Sequence, residues 1–162
     1  MSFEETPRGT RGARVPPSNA LTRLVGRVMI KQHRRSGDRF LGMDLLYLTT
    51  VGAKTGKARQ TPLGRFPDDE GWLVVASSAG SARNPGWYHN IVAHPDQVWI
   101  ELTGQKHRVT AQQLDGQRRE EAWQRIASTH PRYANYQRKT DRVLPIIRLS
   151  VIQDSDPAGP TE

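Results

Sequence analysis

Four short stretches carry residue types suited to holding a charged, ring-bearing ligand. The first is Gly52-Ala53-Lys54-Thr55-Gly56-Lys57-Ala58-Arg59. Its glycines let backbone N–H groups approach a phosphate closely, and Lys54, Lys57 and Arg59 supply positive charge. The GxxxxGK[ST] spacing is absent and a strand rather than a helix follows, so it is not a nucleotide P-loop. A solvated β-turn with basic side chains has the same composition. The second is Ser77-Ser78-Ala79-Gly80, where small residues at a strand end leave room for a ring or phosphate, or form a plain loop. The third is Asn84-Pro85-Gly86-Trp87-Tyr88-His89-Asn90. Proline in the first turn and asparagine as cap predict a helix start, whose N–H groups and dipole suit an anion. Trp87 can flank a flat ring, although a core tryptophan is the commoner fate. The fourth is His130-Pro131-Arg132-Tyr133-Ala134-Asn135-Tyr136, where two tyrosines three apart can donate to a substrate at a pocket mouth. They can equally be half-buried packing residues.

Other chemistries are poorly supplied. The 162 residues include no cysteine, which removes disulfides, thiolate metal sites and cysteine nucleophiles. The five histidines (His33, His89, His94, His107, His130) have no metal-ligand spacing and no HExxH occurs, so no metal is expected. There is no serine nucleophile elbow. The first residues lack the apolar segment of a secretory signal, and no apolar run approaches the roughly 18 residues of a membrane span. A cytoplasmic protein, at most peripheral at the inner face of a membrane, is the expectation.

The net charge is +8, and residues 1–35 hold eight basic side chains against Glu4 and Glu5, which is +6 of that total. Such a front end can meet nucleic acid, anionic lipid or an anionic ligand, or serve solubility alone. No aromatic-interleaved basic stripe is present, which argues against nucleic acid.

The elements that must position these stretches follow from periodicity. Residues 1–18 are rich in proline and glycine and poor in large apolar groups, so a disordered basic tail is expected. Ser18 or Asn19 can cap a helix. Leu21, Leu24, Val25, Val28 and Met29 then fall on one helical face, flanked by Arg23, Arg27, Lys31 and Arg34. This helix either covers the domain as an ordinary amphipathic element or lies on an anionic membrane surface through residues 19–35. Strands are predicted at 45–51, 59–66, 72–77, 97–103, 106–113 and 143–149, with Pro145 placing the last at an edge or bulge. Helices are predicted at 84–92 and 115–128, the latter with Ala122, Trp123 and Ile126 inward and Pro131 ending it. About six antiparallel strands joined by tight turns, with helices outside, argue for an α+β small barrel over residues 19–152, followed by a polar tail at 153–162.

Taken in order, the motifs resemble the deazaflavin (F420)-dependent nitroreductase and quinone reductase family over about Leu46 to Ile147. The resemblance rests on Leu48 to Arg59 with Thr61-Pro62-Leu63, on Val75-Ala76-Ser77-Ser78, and on Asn84 to Asn90. It extends to Tyr133-Ala134-Asn135-Tyr136, Thr140-Asp141-Arg142 and Pro145-Ile146. It implies a split β-barrel like that of flavin reductases and a hydride transfer from reduced coenzyme F420 to a quinone, nitroaromatic or similar acceptor. By the same resemblance Ala53, Lys54, Thr55, Arg59, Gln60 and Thr61 would hold the cofactor phosphate and acidic tail. Val75, Ala76, Ser77 and Ser78 would follow the ring, with Ser77 hydrogen-bonding it, and Gly86, Trp87, Tyr88, His89 and Asn90 would contact its other side. Tyr133 and Tyr136 would line the substrate side. Two alternatives stay open: an F420 carrier without turnover, and a related barrel that binds FMN.

Overall fold

The computed structural model describes residues 3–15, 20–40 and 42–152. The proposed caps Ser18 and Asn19 and the 153–162 tail lie outside these residues. Eight strands form one antiparallel sheet: β1 (Arg39–Phe40), β2 (Met43–Val51), β3 (Ala58–Gly64), β4 (Phe66–Asp68), β5 (Gly71–Val75), β6 (Val98–Leu102), β7 (Gln105–Gln113) and β8 (Ile146–Val151). Six of them have five residues or more, and β1 and β4 are short. The order is β1-β2-β6-β7-β8-β5-β4, and β3 also pairs with β2. The sheet curls until β3 meets β5 without pairing to it. The barrel is therefore split along the β3/β5 seam.

Period-two alternation explains how one sheet serves two cores. On β5, Val74 (with Ala76 just beyond) points into the barrel, while Leu73 and Val75 point outward. On β8, Ile147 and Leu149 join the first set and Ile146 the second. Helix α2 (Gly86–Ala93) plugs the barrel with Trp87, Tyr88 and Ile91. Helices α3 (Gly116–Thr129) and α4 (Pro131–Lys139) cover the outer cluster with Ala122, Ile126 and Tyr133.

Several elements depart from the sequence reading. Pro131 does not merely end a helix; it occupies the first turn of α4, where its missing N–H costs nothing. Strand β8 is not an edge strand but lies between β5 and β7, because Pro145 stands just before it and contributes only its carbonyl, which accepts from the Ala76 N–H at 2.9 Å. Asn84 does not cap α2. Pro85 holds the cap position, and Asn84 is buried, donating to the Thr6 carbonyl at 2.9 Å.

Residues 3–15, expected to lack fixed contacts, run as an extended strap over α2 and the loop that precedes it. Phe3 packs against the Tyr88 ring at 5.6 Å between centroids, and the remaining anchors are polar and steric. The Thr6 N–H donates to the Tyr88 hydroxyl at 2.9 Å, and the N–H groups of Gly9 and Ala13 donate to the carbonyls of Ala82 and Gly80. A Cβ on Gly12 would lie 2.2 Å from the Ala82 nitrogen, so only glycine permits this approach. Asp141 accepts from the N–H groups of Thr10 and Arg11 and from the Thr10 hydroxyl. These bonds, the Thr10 hydroxyl foremost, hold its pKa at about 2, below the ordinary 3.8. The depressed value fixes the sign: the anchor is complete above the unfolded pKa and is lost as pH falls through about 2. Protection of the Thr10 and Arg11 amides, normalised for intrinsic exchange, is expected to hold down to about pH 4 and to drop from there to pH 2. D141N should abolish that step.

Helix α1 (Ala20–Arg35) forms as predicted but does not bury its apolar face. Leu21, Leu24, Val25, Val28 and Met29 remain 38–68% exposed. The helix is held instead from its other side by buried Ile30 and His33, the latter against the Phe40 ring, and by the Arg34–Glu101 ion pair at 2.9 Å.

Candidate functional site

The turn between β2 and β3 exposes Ala53, Lys54, Thr55, Gly56 and Lys57, with Gly56 at φ +67°. Its shape is set by short-range bonds: the Gly52 N–H donates to the Lys57 carbonyl at 2.7 Å and the Gly56 N–H to the Gly52 carbonyl at 2.9 Å. Asn90 ties this turn to α2. Its Oδ1 accepts from the Ala53 N–H at 2.9 Å and its Nδ2 donates to the Thr50 hydroxyl at 3.0 Å. The cationic turn and α2, 37 residues apart in sequence at this bond, are one assembly.

Arg59, Gln60 and Thr61 follow on β3, opposite Thr50, Thr49 and Leu48. They line a cleft of about 530 Å³ whose other wall is α1, with Arg23, Arg27, Lys31 and Arg34. Five cations thus face one recess, an electrostatic environment suited to a polyanion. A larger recess of about 800 Å³ lies elsewhere, between the β4–β5 turn and α3, and contains none of the expected site residues. Its charges are largely spent on one another: Arg148 donates to Asp68 at 2.6 Å and to Glu70 at 3.3 Å. Burial pushes the Asp68 carboxyl up, but hydrogen bonds and charge from Arg148 prevail, with help from Arg125, and its pKa is lowered.

Beyond β5 the chain makes a tight turn, Ser78–Gly80, in which φ is positive at Ser78 (44°), Ala79 (52°) and Gly80 (82°). Two consecutive non-glycine residues in the left-handed region store strain, a feature that concentrates at functional sites. Val75 and Ala76 are buried, and both backbone polar groups of Ala76 are bonded within the protein, whereas Ser77 and Ser78 are half-buried. A Cβ on Gly80 would meet the Tyr136 carbonyl at 2.6 Å, so this turn packs directly on α4.

Helix α4 places Tyr133 and Tyr136 with ring centroids 5.6 Å apart. Tyr133 is buried beside β3, its hydroxyl 2.9 Å from the Cβ position of Gly64 and 3.8 Å from Met43 Sδ. Burial, with a smaller contribution from Tyr136, pushes its pKa up to about 12. It stays protonated at any physiological pH, a donor rather than a base. Tyr136 is half-buried. His130 packs edge-on against Phe66 at 5.0 Å between centroids.

The structure therefore joins the β2–β3 turn to α2 through Asn90, and the Ser77–Gly80 turn and the far end of β3 to the α4 tyrosines. It divides the α2 pentad. Trp87 and Tyr88 face the barrel core, because i and i+1 join Ile91 on the buried side of an eight-residue helix. The Tyr88 hydroxyl is used internally, donating to Gln113 at 2.7 Å. Gly86, His89 and Asn90 reach the surface, and His89 pairs with Glu5 of the strap at 2.8 Å. Sequence reasoning missed the strap and Arg142, which binds the loop carrying Ser77. The strap had a signal, glycines at 9 and 12 among arginines, whereas Arg142 follows Arg138 and Lys139 with nothing local to set it apart.

Comparison with known proteins agrees with this fold. The F420H(2)-dependent quinone reductase family profile matches residues 21–150. An F420H(2)-dependent quinone reductase of Mycobacterium tuberculosis (strain H37Rv) is 37% identical over 145 residues, covering 82% of this chain and 97% of that protein. The solved structure of an F420-H2 dependent reductase, FDR-A, is 36% identical with a TM-score of 0.58, covering 65% of this chain and 93% of its own. Another, described as a domain-swapped dimer, is 33% identical with a TM-score of 0.59, covering 81% of this chain and all of its own. With a profile match over most of its length, a relative 37% identical over 97% of that protein and a barrel like that of FDR-A, the chain belongs to the F420H(2)-dependent quinone reductase family.

Proposed function

We propose that the seam binds reduced coenzyme F420 and that the protein directs its hydride to a quinone-like acceptor. The observation that carries this reading is the Asn90 bridge, which joins the cationic Ala53–Arg59 turn to the surface edge of α2. The residues fit the group: exposed cations for a phosphate and acidic tail, a strained small-residue turn beside a ring, and a buried phenol at its far side. Bound F420H2 supplies a hydride from C5 of its ring, and the protein supplies binding and orientation. Lys54, Thr55, Arg59, Gln60 and Thr61 hold the phosphate and tail, with the α1 cations across the cleft completing the field. Ala53 would take part only by shaping the turn, because its N–H is given to Asn90. Val75 would offer backbone, and Ser77 and Ser78 their hydroxyls, along the ring, whereas Ala76 supports it from behind with its N–H on Pro145 and its carbonyl on Arg142. Gly86, His89 and Asn90 form the opposite lip. Tyr133 and Tyr136 face the acceptor, and Tyr133, held protonated, donates rather than accepts.

Mixing the protein with F420H2 and menadione should restore the fluorescence of oxidised F420; no turnover with several quinones would reduce the protein to a carrier. Tyr133→Phe tests the role of the phenol. Its hydroxyl has only a thioether nearby, so fold stability should change little. F420 affinity should stay within about twofold, while kcat falls about tenfold or more, the lower range for loss of a positioned proton donor. Equal loss of binding and turnover would reject the assignment.

The exposed apolar stripe of α1 supports a second contact. Five large apolar side chains in the open, bordered by Arg23, Arg27 and Lys31, suit an anionic bilayer surface, where a lipid-soluble quinone resides. Among the described residues no helix is long and apolar enough to cross a membrane. Flotation with vesicles containing anionic phosphatidylglycerol is expected, and L24E/V28E should abolish it without loss of F420 binding. Equal flotation of wild type and variant would end this reading.

A further inference from the structure

Arg142 heads the fully buried side chains, at 2% exposure. A guanidinium so deep ordinarily demands a carboxylate, because desolvation of the charge is strongly unfavourable. Among the described residues none is bonded to it. Its acceptors are neutral: the carbonyls of Ala76 (3.0 Å), Ser77 (2.9 Å) and Ser81 (3.1 Å), and Asn84 Oδ1 (2.6 Å). The three carbonyls bracket the left-handed run Ser78–Gly80, two before it and one after. Asn84, the fourth acceptor, lies just ahead of α2.

A single lysine could not replace this geometry. The guanidinium is a rigid planar fork with five donors, whereas an ammonium is a point charge with three. A strained loop persists only where its surroundings over-determine it, and here the bonds that do so converge on one side chain. The loop, in turn, carries Ser77 and backs Tyr136 through Gly80. The neighbouring Asp141 faces the other way, holding the strap at Thr10 and Arg11, so consecutive residues pin the loop from inside and its cover from outside.

We propose that Arg142 is a positioning residue: by gathering the carbonyls of Ala76, Ser77 and Ser81 it holds the strained turn in the shape that sets Ser77 and Tyr136 for hydride transfer. The inference rests on the proposed function for its chemical consequence, but not for its structural one.

The test uses R142K and R142Q in the full chain. Without cofactor, hydrogen exchange at residues 76–84 should rise at least tenfold in R142Q and less in R142K, with the β6–β7 hairpin unchanged. With F420H2, kcat per bound cofactor should fall at least tenfold in R142Q with the KM for menadione within twofold, and R142K should recover part of it. The absorption band of bound oxidised F420 should shift in R142Q. A merely structural arginine would lower the melting temperature and the active fraction, leaving kcat per bound cofactor and the spectrum as in wild type; that result overturns the proposal. Unchanged exchange at 76–84 in either variant overturns it as well. If R142Q does not fold, R142K decides both readouts. Failure of the wild type to bind F420 would reject the proposed function, while the exchange comparison still decides whether Arg142 holds the loop.

Discussion

Lys54→Ala together with Arg59→Ala is expected to weaken F420 binding by about 2 kcal/mol or more, roughly thirtyfold in Kd. Hydrogen bonds to charged groups contribute roughly 1.5–3 kcal/mol each, and less where solvent screens them. Lys54 stands free on the turn and Arg59 is half-buried on β3 opposite Thr50, so neither substitution disturbs a core. Fluorescence titration reads the affinity, and the loss should grow smaller as salt is raised, because screening weakens what the cations contributed. An unchanged affinity would remove the phosphate and tail from this end of the seam.

The largest effect on stability is expected from Arg148→Met. Arg148 and the Asp68 carboxylate are both about nine-tenths buried, and their contact is 2.6 Å. Removing one partner strands a buried charge, which costs about 3–5 kcal/mol. Arg125, 3.5 Å from Asp68 and largely exposed, offsets only part of that loss. The sign with pH follows from the lowered Asp68 pKa: the pair stabilises above the carboxylate's unfolded pKa and is lost as pH falls toward the lower folded value. Chemical denaturation at pH 7 should show the full deficit for R148M, and D68N/R148M should recover much of it. A double variant no better than the single one would mean that the arginine contributes packing rather than pairing.

The sheet was legible because its signals are local. Leu45 to Val51, Trp72 to Val75 and the Val98–Gln113 hairpin combine β-branched and aromatic residues with turn glycines, and each became a strand within two or three residues of its predicted bounds. The eight-strand count differs from six only by the two short pieces β1 and β4, too brief to show periodicity. What local pattern could not show was which side of an element faces inward. The α1 stripe has the periodicity of a buried face yet lies open, whereas Ile30 and His33 on its other side are buried. Trp87 and Tyr88 sit within a motif that points to the site, but helix geometry turns them into the barrel. Tyr133 and Tyr136 were found by type and spacing, but their placement on a helix depended on reading Pro131 as a start. Arg142 carried no local signal of its role, because all four of its acceptors lie 58–66 residues away.

The strap has a consequence for the order in which the molecule is completed. Residues 3–15 leave the ribosome before any strand, yet Thr10 closes on Asp141 across 131 residues and Thr6 meets the Tyr88 hydroxyl across 82. Contacts of such separation form after the loop entropy between them has been spent on other structure. A segment made before the strands is thus among the last to be fixed, and its docking reports that the barrel beneath is finished. Strand β8, which joins β5 to β7, follows Asp141 in the chain, so a nascent chain halted before Ile146 keeps a protease-sensitive front end, and one released after Val151 does not.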